Sequence, residues 1–157
     1  MKKAIIIGAS SGLGYEVAKI LINDGWRIGI AARRFDLLQA LQSSAPGMVE
    51  AEAIDVTSAD AADKLRRLAD RVGGIDLFFM SSGIGKQNGE LDETIETATV
   101  ATNALGFVRM VGEAFRYMAA NGGGQIAAIT SVAGTKGLGA APAYSATKAF
   151  QNKIGRA

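Results

Sequence analysis

The amino-acid sequence predicts an α/β domain built on a parallel sheet with helices on both faces. Short apolar runs alternate with helically patterned runs along the whole chain, the pattern of repeated βαβ units. Right-handed crossovers then lay the strands parallel. The first apolar run also opens into a glycine-bearing loop, Gly8-Ala9-Ser10-Ser11-Gly12-Leu13-Gly14, at the point where such a sheet turns from strand to helix.

Lys3 to Ile7 is apolar and ends at Gly8, as a buried strand should. Gly12 to Asn23 carries Leu13, Val17, Ile20 and Leu21 at helical spacing, and Asp24-Gly25 stops it. Arg27 to Ala32 is the second strand. Asp36 to Ser43 is helical until Pro46-Gly47, and Val49 to Ile54 is the third strand, closing at Asp55. Ala59 to Val72 is a helix with Leu65, Leu68 and Val72 on its apolar face, ended by Gly73-Gly74. Ile75 to Met80 is the fourth strand. Thr94 to Ala120 reads as one long helical stretch, stopped by Gly122-Gly123-Gly124. Gln125 to Thr130 is the fifth strand, and Ala143 onward is helical to Ala157. With no break in the alternation, residues 1–157 are expected to form a single domain.

Composition narrows the function. A chain of 157 residues, 48% hydrophobic and 20% charged, can bury a core and is not a disordered segment. Without cysteine there are neither disulfides nor thiolate metal sites, and no metal is expected. Without histidine, acid–base chemistry near neutral pH must come from another residue. The net charge is +2, and the only adjacent basic pairs are Lys2-Lys3, Arg33-Arg34 and Arg66-Arg67. That is too sparse for a nucleic-acid surface. No apolar run approaches a membrane span, and the amino terminus enters a strand without a signal-peptide pattern, so the expected location is the cytoplasm.

Gly8, Gly12 and Gly14 form G-x-x-x-G-x-G. The spacing differs from the common dinucleotide fingerprint, but the physics is shared: a tight turn, close backbone approach, and helix N–H groups aimed at a pyrophosphate. An acidic residue at the end of the second strand would accept from an NAD ribose. Here the strand ends Ile30-Ala31-Ala32-Arg33-Arg34, which offers guanidinium groups suited to a 2′-phosphate. NADP(H) is therefore preferred, through Arg33, with NAD(H) still possible. Arg34 fits either stacking on adenine or solvent. Asp55, before Val56, fits either an acceptor for the adenine amine or the N-cap of the next helix.

Tyr144 and Lys148 stand at i and i+4 of a helical run and share one face. A tyrosine at its ordinary pKa of about 10 is a poor acid–base group, and a nearby ammonium corrects this by favouring the phenolate. Ser131, thirteen residues before Tyr144, ends the fifth strand at the sheet's carboxyl edge, where open parallel sheets bind ligands. Its hydroxyl can donate to a substrate oxygen. Asn103 lies inside a helical run, where asparagine is unfavourable and calls for a hydrogen-bonding reason.

With these residues in this order, the chain resembles the short-chain dehydrogenase/reductase family over essentially its whole length. The resemblance implies a Rossmann-type doubly wound sheet of strand order 3-2-1-4-5 and a hydride moving between a nicotinamide and a carbonyl or alcohol carbon. It implies a catalytic set of Asn103, Ser131, Tyr144 and Lys148. Tyr144 would exchange the proton, Ser131 would orient the substrate oxygen, and Lys148 would bond the nicotinamide ribose. Asn103 would hold a water linking Lys148 to solvent. The expected cofactor site is Gly8, Ser10, Ser11, Gly12, Leu13, Gly14, Arg33, Arg34, Asp55, Val56, Ser82, Gly83, Tyr144 and Lys148.

Three departures accompany the likeness. Ile7 stands where the family often has a threonine that pins the loop, and Met80-Ser81-Ser82-Gly83 replaces Asn-Asn-Ala-Gly, with Ser81 expected to supply part of the lost bracing. Family members also continue past the tyrosine helix by roughly 60 residues or more of strand–helix structure. The chain is thus expected to be truncated within its catalytic helix, leaving the fifth strand as an exposed edge. Leu138, Gly139 and Ala140 suggest an apolar rim to the substrate pocket. The expected partners are a small carbonyl or alcohol substrate and a second copy of the chain, as a dimer. The alternatives are a dinucleotide-binding remnant without turnover, or an association module working through its long helices.

Overall fold

The computed structural model describes residues 1–154. Five parallel strands form one sheet, β1 Lys3–Ile7, β2 Arg27–Ala32, β3 Val49–Ala53, β4 Leu77–Met80 and β5 Gln125–Ala128, in the order β3-β2-β1-β4-β5. β1 lies at the centre, paired with β2 from Lys3↔Arg27 to Ile7↔Ala31 and with β4 from Ala4↔Leu77 to Ile7↔Met80. A strand covered on both faces must be apolar throughout, and Ala4, Ile5, Ile6 and Ile7 are all buried.

The period of two divides those side chains between two cores. Ile5, Ile7, Phe78 and Met80 pack under α3 (Ala61–Val72) and α5 (Phe107–Ala120). Ala4, Ile6, Ile28 and Ile30 pack under α1 (Gly12–Asn23) and α2 (Asp36–Ser44). Burying each large side chain contributes about 1.5–3 kcal/mol. Where α5 packs on α3, Glu113 is buried and bridges Arg66 of α3 at 2.7 Å and Arg116 of its own helix at 2.9 Å.

The observed strand order and parallel pairing agree with expectation, but several boundaries move. β3 and β5 end before Ile54 and Ile129, and β4 begins at Leu77. Ile54 N–H still donates to Ala32 O, and Ile129 N–H to Met80 O, at 3.0 and 2.9 Å. Beyond these single bonds the chain peels away, and a cleft opens along the carboxyl edge. α3 begins at Ala61 with Asp60 as its N-cap, so Asp55 is not that cap.

The larger correction concerns residues 94–120. The stretch is not one regular helix. α4 (Glu93–Val100) is capped by Asp92, whose carboxylate accepts from Thr94 N–H at 2.8 Å. A π-helical segment, Ala101–Gly106, follows before α5 begins. Wider turns rotate the faces of the two flanking helices, and within the segment Thr102, Asn103 and Gly106 face inward. The last helix, α6, runs Pro142–Ile154; the rest of the helix expected to Ala157 lies outside the described residues. Among the described residues, no helix is long and apolar enough to cross a membrane.

β5 is an edge strand. An apolar groove of about 700 Å³ lies beside it, between Phe107, Val111 and Phe115 of α5 and Ile154 of α6.

Candidate active site

A cleft of about 640 Å³ runs along the carboxyl ends of the strands. At one end lies the glycine loop. Gly8 takes a φ of +90°, which favours glycine, and a Cβ there would stand 2.6 Å from Ser82 N. Gly14 packs against Gly8 O, so close that a side chain has no room. Gly8 and Ala9 N–H both donate to Ala31 O, at 2.8 and 3.2 Å. These main-chain bonds pin the loop even with Ile7 in place of a hydroxyl residue. Among the described residues the Ser81 hydroxyl makes no hydrogen bond, so it does not replace the asparagine bracing; only its main-chain N–H is used, donating to Ile7 O at 2.8 Å. Ser11 is the N-cap of α1 and makes no side-chain cap bond, so the first-turn N–H groups remain free for an anion. Gly8, Ser10, Ser11, Gly12 and Leu13 line the cleft, and Gly14 supports them from beneath.

Next to the loop, Arg33 and Arg34 are exposed and line the cleft together with Asp55 and Val56. The Asp55 carboxylate closes a turn on Thr57, accepting from its hydroxyl at 2.7 Å and its N–H at 2.9 Å. Those two bonds hold the carboxyl below its ordinary value against a small cost of burial, and the charges of Arg33 and Lys64 add to the effect.

Tyr144 and Lys148 stand at the opposite end, on α6. The ammonium lies 5.8 Å from the centre of the tyrosine ring. Lys148 is buried, and desolvation lowers its pKa below the ordinary value. Two of its N–H groups are bound, to Ile129 O and to Gln151 Oε1, both at 3.0 Å. Its third has no partner among the described residues, and the side chain borders the cleft beside Ser82 and Gly83. Gly85 permits Tyr144 its position, because a Cβ there would lie 2.6 Å from the ring's Cδ2.

Asn103 is fully buried, with the hydrogen-bonding reason its position demands. Its side-chain oxygen accepts from Ile84 N–H at 2.8 Å, and its amide donates to Ile84 O at 2.6 Å and Thr147 Oγ1 at 3.2 Å. It clamps the loop after β4 against α6 and does not itself border the cleft. Its main-chain oxygen accepts from Gln151 Nε2 at 2.8 Å. Ser131 caps the short 3₁₀ turn Val132–Gly134, accepting from Ala133 N–H at 3.2 Å. Its neighbours Ile129 and Thr130 border the cleft, while Ser131 lies just beyond that lining. Leu138 forms part of the rim, and its N–H donates to Ser145 Oγ at 2.9 Å; Gly139 and Ala140 do not line the cleft.

Sequence reasoning missed Gly85, Glu96 and Gln151. Glu96 reaches from α4 to accept from Ala143 N–H at 3.0 Å and from Asn88 Nδ2 at 2.8 Å, fixing the start of α6. No local pattern announces it. Gln151 does carry a signal, since Tyr144, Lys148 and Gln151 fall at i, i+4 and i+7 of one helix face.

The family model for short chain dehydrogenase matches residues 2–157. An uncharacterised oxidoreductase of Myxococcus xanthus is 35% identical over 155 residues, which cover 95% of this chain and 61% of that protein. Another, from Mycobacterium tuberculosis, is 32% identical over 163 residues, covering 98% of this chain and 64% of that one. The chain therefore spans less than two thirds of either relative. Among solved structures, a short-chain dehydrogenase from Streptomyces avermitilis matches with a TM-score of 0.91 at 26% identity, covering 99% of this chain and 58% of its own. An alcohol dehydrogenase from Thermococcus sibiricus, solved with 5-hydroxy-NADP, matches with a TM-score of 0.89 at 26% identity, covering 99% and 69%. From its family match, its strand order and the cleft at its carboxyl edge, the chain belongs to the short-chain dehydrogenase/reductase family of oxidoreductases.

Proposed function

We propose that the protein moves a hydride between NADP(H) and a carbonyl or alcohol carbon, with Tyr144 as the acid–base group. The observation that carries this reading is a single cleft with a free helix N-terminus and two arginines at one end and the Tyr144–Lys148 pair at the other. The cofactor would supply the hydride, and the chain's own residues supply position and charge. The free N–H groups after Ser11 hold the pyrophosphate, Arg33 the 2′-phosphate, and the third N–H of Lys148 the nicotinamide ribose. Tyr144 gives its proton to the carbonyl oxygen in reduction and takes one from the alcohol in oxidation. Ser131 keeps its hydroxyl proton available for the same substrate oxygen, because its modest bond to Ala133 uses it only as an acceptor. The bound 5-hydroxy-NADP of the Thermococcus sibiricus neighbour supports the choice of cofactor class.

Titration with NADPH and with NADH, followed by nicotinamide fluorescence, tests this reading. NADPH should bind more tightly, and Arg33→Ala should weaken NADPH by about tenfold or more, the scale of a charged hydrogen bond, while leaving NADH unchanged. Equal binding of the two cofactors would remove Arg33 from its role. Binding without turnover of any carbonyl would favour a dinucleotide-binding remnant.

The same reading includes a second copy of the chain. Val100, Leu105, Val108 and Phe115 are 45–64% exposed along residues 93–120, an apolar face suited to self-association. Sedimentation at micromolar concentration should give a dimer that Phe115→Lys dissociates; a monomer throughout would refute it.

A further inference from the structure

We propose that Gln151 is a positioning residue of the active site, its side-chain amide clamping the Lys148 ammonium to the backbone of the π-helical segment. The proposal rests on the reading above, in which Lys148 works beside Tyr144. Gln151 is 1% exposed, and both ends of its amide are used. Oε1 accepts from Lys148 Nζ at 3.0 Å, and Nε2 donates to Asn103 O at 2.8 Å. The resemblance implies that Asn103 holds a water linking Lys148 to solvent. Here a protein side chain joins Asn103 and Lys148 directly.

A direct side-chain link has chemical consequences. A water is mobile and passes protons, whereas a primary amide is covalently anchored and is a poor proton carrier. Gln151 therefore acts by geometry and by its carbonyl dipole. With Ile129 O it gives the ammonium two fixed acceptors, and the third N–H is left for the cleft. A buried ammonium needs such acceptors to remain charged.

Few other groups set its charge. Residues 101–106 and 125–131 contain no ionisable side chain. On α6 the ionisable residues are Tyr144 and Lys153; the loop after β4 brings Lys86 into the cleft, and α4 brings Glu96, which is bound to Ala143 N–H. Burial is the cause of the lowered Lys148 pKa, so loss of an acceptor is felt directly.

The test is a pH titration of the Lys148 side-chain nitrogen by 15N NMR, with the resonance assigned by its disappearance in Lys148→Met. Gln151→Met keeps the length and apolar stem of the side chain but removes the acceptor. It should lower the Lys148 midpoint, with about tenfold weaker proton affinity. Gln151→Glu places a carboxylate against the ammonium and should raise the midpoint. A purely structural role, fastening α6 to residues 101–106, would leave both midpoints unchanged or shift them together. Either of those results overturns the proposal. If one variant does not fold, a midpoint of the other that fails to move in its stated direction overturns the proposal. The titration requires no turnover, so absence of activity toward every carbonyl would defeat the proposed function without deciding the part played by Gln151.

Discussion

Tyr144→Phe should reduce turnover about 10³-fold, within the 10²–10⁴ range of a positioned acid–base group, and leave NADPH affinity within about twofold of the parent, a margin of under 0.5 kcal/mol. The separation of the two effects follows from the surroundings of the ring. Among the described residues, no hydrogen bond to the Tyr144 hydroxyl is made by another protein group; the ring rests on Gly85, and the main-chain oxygen accepts from Thr147 Oγ1 at 2.9 Å. Phenylalanine keeps the ring and the main-chain bond, and the lost hydroxyl strands no buried partner, so the stability change should stay near ±0.5 kcal/mol. The cofactor contacts assigned to the glycine loop and Arg33 lie at the other end of the cleft. Parallel measurements of kcat, NADPH affinity and melting temperature check all three expectations. If Tyr144→Phe kept more than about a hundredth of the parent kcat, the limit set by the weakest acid–base contribution, the proton would have to come from another group.

Much of the fold was legible because local signals and tertiary demand agree. The central strand must be apolar on both faces, and Ala4-Ile5-Ile6-Ile7 is. The glycine loop announces itself because only a residue without a Cβ fits where Gly8 meets Ser82 and where Gly14 meets Gly8. Strand ends were less legible, because pairing stops where the cleft opens, and that depends on elements far away in the chain. The π-helical segment was invisible for another reason. Ala101-Thr102-Asn103-Ala104-Leu105-Gly106 has small residues on every side, so its apolar pattern does not distinguish a wider turn from a regular one.

The site divides in the same way. Tyr144 and Lys148 could be paired from spacing within one helix, and the structure brings them to the same cleft as the loop. Asp55 left two readings open, and the one that made it a helix cap fails because α3 begins only at Ala61, with Asp60 at its N-cap. Glu96 and Gly85 act across long sequence separations, on Ala143 and Tyr144 respectively, and nothing nearby in sequence foretells either contact. Gln151 was within reach, one turn beyond the lysine on the same face, but its meaning required the carbonyl of Asn103 to be in view.

Asn103→Leu should be the most destabilising single change at the site, by roughly 3 kcal/mol, from unpaired groups costing about 1–3 kcal/mol each. The substitution keeps the branching at Cγ with bulkier methyl groups and removes three hydrogen bonds at once. Ile84 loses partners for both its N–H and its carbonyl, and Thr147 loses a donor. Ile84 is only partly buried, so water recovers some of the loss, which keeps the figure below the simple sum. For a chain of this size, a loss on that scale lowers the melting temperature by roughly 10 °C. Function should fall for a separate reason. The clamp holds the loop that carries Gly83 and Gly85, and those glycines border Lys148 Nζ and the Tyr144 ring. A loosened loop should raise the KM for cofactor before it alters the chemistry. Thr147→Val supplies the internal control, since it removes only the acceptor of the longer Asn103 amide bond and leaves both bonds to Ile84, and its loss should be partial. Thermal melts of both variants, with hydrogen exchange at Ile84, read the clamp directly. If Asn103→Leu melted within about 2 °C of the parent, under 1 kcal/mol on the same scale, the loop would be held by something other than this asparagine.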